Sequence, residues 1–147
     1  MKYSVGVEYA LHCLIYMVDI DKKKTIGIKD LAAFQGISET YLSKIFTKLK
    51  KAGIVRSTTG VKGGYVLAKT PAEISFWDVI EALEGTSYLF QCDEIRQNEI
   101  LIDEDNIPES FCATPCLIHT TMNEAEDQMR HYLKNKTWKN YYYLFQQ

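Results

Sequence analysis

The sequence predicts a mainly α protein with a small β-wing, and three observations carry that prediction. Apolar residues recur at helical spacing in five separate stretches of the 147 residues. Between the third and fourth of them lie two short β-branched or aromatic runs, Ile54–Ser57 and Tyr65–Leu67, joined by a Gly- and Lys-bearing turn from Thr58 to Gly64. Just ahead of that hairpin stands Leu-Ala-x-x-x-Gly-Ile-Ser (Leu31 to Ser38), the spacing of two short helices crossing at a tight turn. A helix pair followed at once by a cationic hairpin is a winged helix-turn-helix, and here a long C-terminal helix is added to it.

The central helix follows Ser38, whose hydroxyl suits an N-cap. Leu42, Ile45, Phe46 and Leu49 form one face, while Thr40, Ser43, Lys44, Thr47, Lys48 and Lys51 form the other. Ala52-Gly53 ends the helix, since Gly accepts the left-handed conformation of a C-cap. Donors and cations on an outer helix face fit a major groove, and a cationic hairpin fits the neighbouring backbone or minor groove. The candidate DNA-contacting residues are Ser38, Thr40, Tyr41, Ser43, Lys44, Thr47, Lys48, Arg56, Thr59, Lys62, Gly63, Gly64 and Tyr65.

Charge supports that reading. Residues 1–70 hold 12 Lys and Arg against 5 Asp and Glu, a balance of +7, and residues 71–147 hold 5 against 14, a balance of −9. The basic half suits a polyanion, and the acidic half is expected to face away from it. No apolar run reaches membrane-spanning length, and the N-terminus lacks a signal-peptide pattern, so a cytoplasmic chain with no membrane partner is expected. Its four cysteines then read as thiols, ligands or sensors and not as a disulfide framework.

The other elements follow in order. Residues 4–20 form a helix with the seam Val7, Leu11, Leu14 and Val18, on which Cys13 reads as a small buried hydrophobe and His12 as a surface or partly packed histidine. Residues 28–35 form the first helix of the pair; Ala32 and Ala33 allow a close crossing and Ile37 wedges it. After Pro71, Ser75 caps another helix, with Asp78 placed for a capping box and Glu84-Gly85 at its end. Thr86 to Pro115 shows no sustained periodicity and is acidic from Asp93 to Glu109. A last helix from Cys116 to Lys136 carries Ile118, Met122, Ala125, Met129 and Tyr132 at heptad spacing, and the Tyr-rich tail from Trp138 is expected to pack back on the domain. This gives a DNA-binding domain over 1–85, an acidic cysteine-bearing loop over 86–115, and over 116–147 a tail and a helix long enough to dock on the first helix or on a partner subunit.

Several of these stretches resemble the Rrf-two family of winged-helix transcription regulators. They are Tyr-x-x-x-x-x-Tyr-Ala-Leu from Tyr3, Tyr-Leu-x-Lys-Ile-Phe-x-Lys-Leu-Lys-Lys-Ala-Gly-Ile-Val from Tyr41, the wing ending Gly63-Gly64-Tyr65-Val66-Leu67-Ala68, and Ile74-Ser75 through Leu83-Glu84-Gly85. The likeness is close over residues 1–85. Where the family's wing carries Arg, this chain has Thr59, and Lys62 is the cation nearby.

The resemblance implies a homodimer, assembled through the long C-terminal helix, on a pseudo-palindromic operator of double-stranded DNA. It also implies an iron–sulfur cluster held by three cysteines after the Glu-Gly pair. Here that region holds Cys92, Cys112 and Cys116, with nineteen residues between the first two and three between the last two. In some members an acidic residue from the first helix of the other subunit completes the set. Glu8 matches it, and His119, one turn beyond Cys116, is the local alternative. Two further roles for the cysteines stay open, as thiols that oxidise together and as packed residues.

The expectation is a dimeric DNA-binding transcription regulator, a repressor, with an iron–sulfur or thiol redox sensor ahead of its dimer helix. The alternative is a protein-interaction module, or a regulator without a cysteine-based sensor. No nucleophile–base pair, phosphate-cradling loop or paired carboxylate marks an enzyme.

Overall fold

Helix α1 (Val5–Asp19) begins the chain in the computed structural model, which describes residues 2–19, 24–61, 63–91 and 116–144. Helices α2 (Ile28–Gln35) and α3 (Glu39–Lys51) follow, then strands β1 (Val55–Thr58) and β2 (Gly64–Leu67), a single 3-10 turn at Pro71–Glu73, and α4 (Phe76–Glu84). The C-terminal part holds α5 (Leu117–Lys134) and the short α6 (Lys139–Leu144). The chain divides into two compact units. One is Lys2–Thr86 with the stretch from His131 onward, and the other is Ser87–Arg130.

The first unit is built on the inner face of α3. Leu42, Ile45, Phe46 and Leu49 are buried against Ala10, Cys13, Leu14 and Met17 of α1, Leu31 and Ala32 of α2, and Ile54, Val55, Ile74 and Val79. The turn between α2 and α3 works as its sequence predicts. Gly36 takes a left-handed φ of 67°, its amide and that of Ile37 bond back to α2 carbonyls, and Ser38 caps α3 by accepting from the Tyr41 amide at 3.2 Å.

The wing is an antiparallel pair with Val55 opposite Leu67 and Thr58 opposite Gly64. Its first strand starts one residue later than the apolar run predicts. The Ile54 amide is already committed to the Leu49 carbonyl at the end of α3, at 3.0 Å. A third segment joins the wing without any signal in the sequence: Ile26 and Tyr65 exchange both backbone hydrogen bonds, at 3.1 and 2.8 Å. A Cβ on Gly64 would stand 2.6 Å from the Ile26 carbonyl oxygen, and one on Gly63 would stand 2.7 Å from that of Thr58. The Gly-Gly pair is therefore required by close backbone approach.

Ser75 and Asp78 form the predicted capping box, at 3.1 and 2.8 Å. The tail packs back as expected. Trp138 is buried, stacked on Phe76 at 4.6 Å, and its amide donates to the Ile74 carbonyl at 3.1 Å. That attachment also explains why α5 ends at Lys134 and not at Lys136. The Lys136 carbonyl accepts from the Phe76 amide at 2.9 Å, and Thr137 bridges Ser75, so both residues are withdrawn from the helix.

Candidate nucleic-acid interface

Helix α3 sorts its residues by face. Thr40, Tyr41, Lys44, Thr47 and Lys48 are exposed and Ser43 is half-buried, while all four comb residues are buried. The exposed side chains differ in how free they are. Among the described residues Lys44 has no hydrogen-bond or ion-pair partner. The Thr47 hydroxyl donates to the Ser43 carbonyl at 2.8 Å, leaving its oxygen as an acceptor. Tyr41 rests edge-on against Tyr9, with centroids 5.9 Å apart, which orients its ring at the start of the helix. The Lys48 ammonium lies 3.5 Å from the Leu83 carbonyl, and its charge helps hold the neighbouring Glu84 carboxyl below its usual range, behind the larger effect of hydrogen bonds from Ser4.

The wing is fixed to α3 by a contact that sequence reasoning missed. Lys50, on the last turn, donates to the Ser57 hydroxyl at 2.8 Å. Lys50 and Ser57 belong to different elements, and no spacing rule links them. Arg56 and Thr59 are exposed on the wing. The Tyr65 ring packs on Phe46 with centroids 4.7 Å apart, so this residue anchors the wing to the core. Val61, at the wing's tip, is fully exposed. Lys62 lies outside the described residues. An exposed polar and cationic helix with a hairpin held beside it is the geometry for reading a groove and gripping its backbone.

The cysteines divide differently. Cys13 is buried, receives a 3.6 Å hydrogen bond from the Gln35 amide, and has its thiol pushed up to about 11 by burial. A thiol so poor in thiolate is inert. Cys92 and Cys112 lie outside the described residues. Cys116 is half-buried just ahead of α5, with His119 in the next turn; the His119 Nε2 is 3.1 Å from the Asn123 side-chain amide. Glu8 is exposed in the first turn of α1. Among the described residues no group of three His, Cys, Asp or Glu is placed to hold a metal.

Fold and surface together define a winged helix-turn-helix regulator of transcription. The family described as "Rrf2: Iron-dependent Transcriptional regulator" matches residues 3–141, and the chain belongs to it. The sequence is 34% identical to a putative HTH-type transcriptional regulator, YffB, of Lactococcus lactis, over 92% of this chain and 83% of that one. It is 39% identical to the HTH-type transcriptional regulator NsrR of Geobacillus kaustophilus, over 69% of each chain. Among solved structures it is similar to the oxidized form of Staphylococcus aureus CymR, with a TM-score of 0.68 and 29% identity, covering 95% of this chain and 94% of that one. Among the described residues no helix is long and apolar enough to cross a membrane.

Proposed function

We propose that this transcription regulator is a cytoplasmic homodimeric repressor that binds a pseudo-palindromic operator and answers to a signal received by its C-terminal cysteines. Residues 1–85 bind DNA, 86–115 carry the sensor, and 116–147 assemble the dimer. Thr40, Tyr41, Ser43, Lys44 and Thr47 enter the major groove. Lys48, Arg56 and Lys62 hold phosphates, and the Thr59–Tyr65 stretch with its Gly63-Gly64 pair brings the wing's backbone close to the duplex. Ser38 fixes the start of the reading helix. A dimer seated over a promoter excludes polymerase, which is the basis for repression. The observation that carries the reading is the outer face of α3, where Lys44, without a partner among the described residues, stands among exposed hydroxyls beside a wing fastened by Lys50 and Ser57.

The test is binding to duplexes selected from a random pool. Lys62→Ala should weaken binding to all duplexes and make the salt dependence shallower by about one unit, while Lys44→Ala should weaken binding and also relax base preference. Unchanged affinity and slope in a low-salt titration would reject this placement of the helix and wing.

For the sensor, we infer that Cys92, Cys112 and Cys116 act together while Cys13 does not. The inert thiol of Cys13 and a relative solved in an oxidized form support this. Each cysteine changed to Ser is assayed for operator affinity anaerobically with iron and sulfide, and again after mild oxidation. Loss of response in the three C-terminal variants but not in Cys13→Ser is the expected result. Visible absorption then separates cluster from thiol chemistry, with Glu8 of the partner subunit or His119 as the further ligand to vary in the first case.

A further inference from the structure

The unit Ser87–Arg130 contains one buried charged side chain among its described residues, Glu126. Its two carboxylate oxygens do different jobs. Oε1 accepts from Arg130 Nε at 3.2 Å and Nη2 at 2.8 Å, an ion pair on one face of α5. Oε2 accepts from the backbone amide of Leu89 at 2.8 Å, 37 residues away in sequence. Arg130 adds a second backbone contact, donating from Nη2 to the Ser87 carbonyl at 3.0 Å, and its guanidinium lies 4.1 Å over the Tyr88 ring. The Tyr88 hydroxyl donates to Asp127 at 2.5 Å, and that bond holds its phenol above the ordinary tyrosine range. Three consecutive residues are thus gripped through an amide, a ring and a carbonyl by three side chains from little more than one turn of α5.

A surface ion pair one helical turn apart gains little on its own. It needs neither burial nor a distant amide. What distinguishes this group is that it fastens a non-helical stretch, at charge-assisted hydrogen-bond lengths, just before the segment that carries Cys92.

We propose that Glu126, Asp127 and Arg130 are positioning residues of the regulatory response: they clip Ser87–Leu89 to α5, so that the state of the cysteine-bearing segment is passed to this helix. The inference rests on the reading of that segment as the sensor. Coupling of this kind requires a closed clip, since a signal biases an equilibrium only through contacts that differ between its states.

The test uses the full-length protein and the selected operator duplex. Operator affinity is measured for the anaerobic reduced form, and again after iron and sulfide or after diamide, in the parent, in Glu126→Ala, and in the exchange Glu126→Arg with Arg130→Glu. The exchange keeps an oppositely charged pair on α5 but puts a guanidinium where the Leu89 amide needs an acceptor. Untreated variants should bind within about twofold of the parent, while the parent's response of about fivefold or more collapses in both. Recovery of the response in the exchange variant would overturn the proposal, because the pair then serves only the helix. Hydrogen exchange at the Leu89 amide reads the clip independently of DNA and should quicken by about tenfold or more in both variants. Unchanged protection there overturns the clip whatever the titrations give. A parent whose affinity ignores every treatment overturns the sensor reading, and the coupling with it, while the Leu89 amide still reports whether the clip exists.

Discussion

Helices α3 and α5 both announce themselves by regular apolar spacing, and the structure treats them in opposite ways. On α3 every comb residue is buried within its own chain. On α5 Ile118 is 66% exposed, Tyr132 is 60% exposed and Leu117, beside the seam, is 77% exposed. Met122 and Met129 are half-buried and Ala125 is exposed. Periodicity shows that a helix has a face to hide; it does not show what hides it. In the proposed dimer this open seam is the face that meets the second copy, whereas α3 has used its apolar face in the core and offers only its polar side.

The contrast can be broken most severely at α5. Changing both Met122 and Met129 to Asp would bury unpaired charge in a dimer seam and cost several kcal/mol. Sedimentation should then show monomers that remain folded and bind a full operator poorly; an unchanged dimer would remove the seam from the interface. At α3 the expected loss is of folding itself. Phe46→Ala deletes a fully buried ring packed on Tyr65, and should lower unfolding stability by about 3–5 kcal/mol. Chemical denaturation measures it, and a loss below about 1 kcal/mol would mean that the core closes without this ring.

Alkaline pH sharpens the same comparison. Below pH 9 the Cys13 thiol is neutral in both folded and unfolded chains, so its full contribution is present. Burial raises its folded value from 9.0 to about 11. Between those values only the unfolded chain ionises, and stability should fall by about 2–3 kcal/mol as pH rises through that window. Cys13→Ala should flatten that part of the pH profile. The smallest effect is expected at the cap of α4. Ser75→Ala leaves the Asp78 amide without its acceptor and should cost about 1 kcal/mol in thermal or denaturant unfolding, with no change in dimerisation.

Much of the fold was legible because its signals are local. Ser38, Gly36 and the Ser75–Asp78 pair act within four residues of themselves, so residue type and spacing suffice. The Gly63-Gly64 pair was legible as a turn, but its cause was not, since the carbonyl that obstructs Gly64 belongs to Ile26. In the interface, the outward positions of α3 follow from the inward comb. The tether between Lys50 and Ser57, and the partial engagement of Lys48 by the end of α4, could not be read, because each joins elements whose approach depends on the packed core.

The sequence by itself determined helices α1 to α5, the wing, the polar face of α3 and the fact that α5 carries an apolar seam. Each depends on a period or on a cap, and both are properties of neighbours along the chain. Only the tertiary structure decided that Ile26 joins the wing, that Trp138 is the buried wedge behind α4, and that Glu126 is buried at all. A glutamate on a helix reads as solvated, because burying a charge is costly without partners. Its partners here include an amide 37 residues earlier, and it is the fold that brings that amide within 2.8 Å.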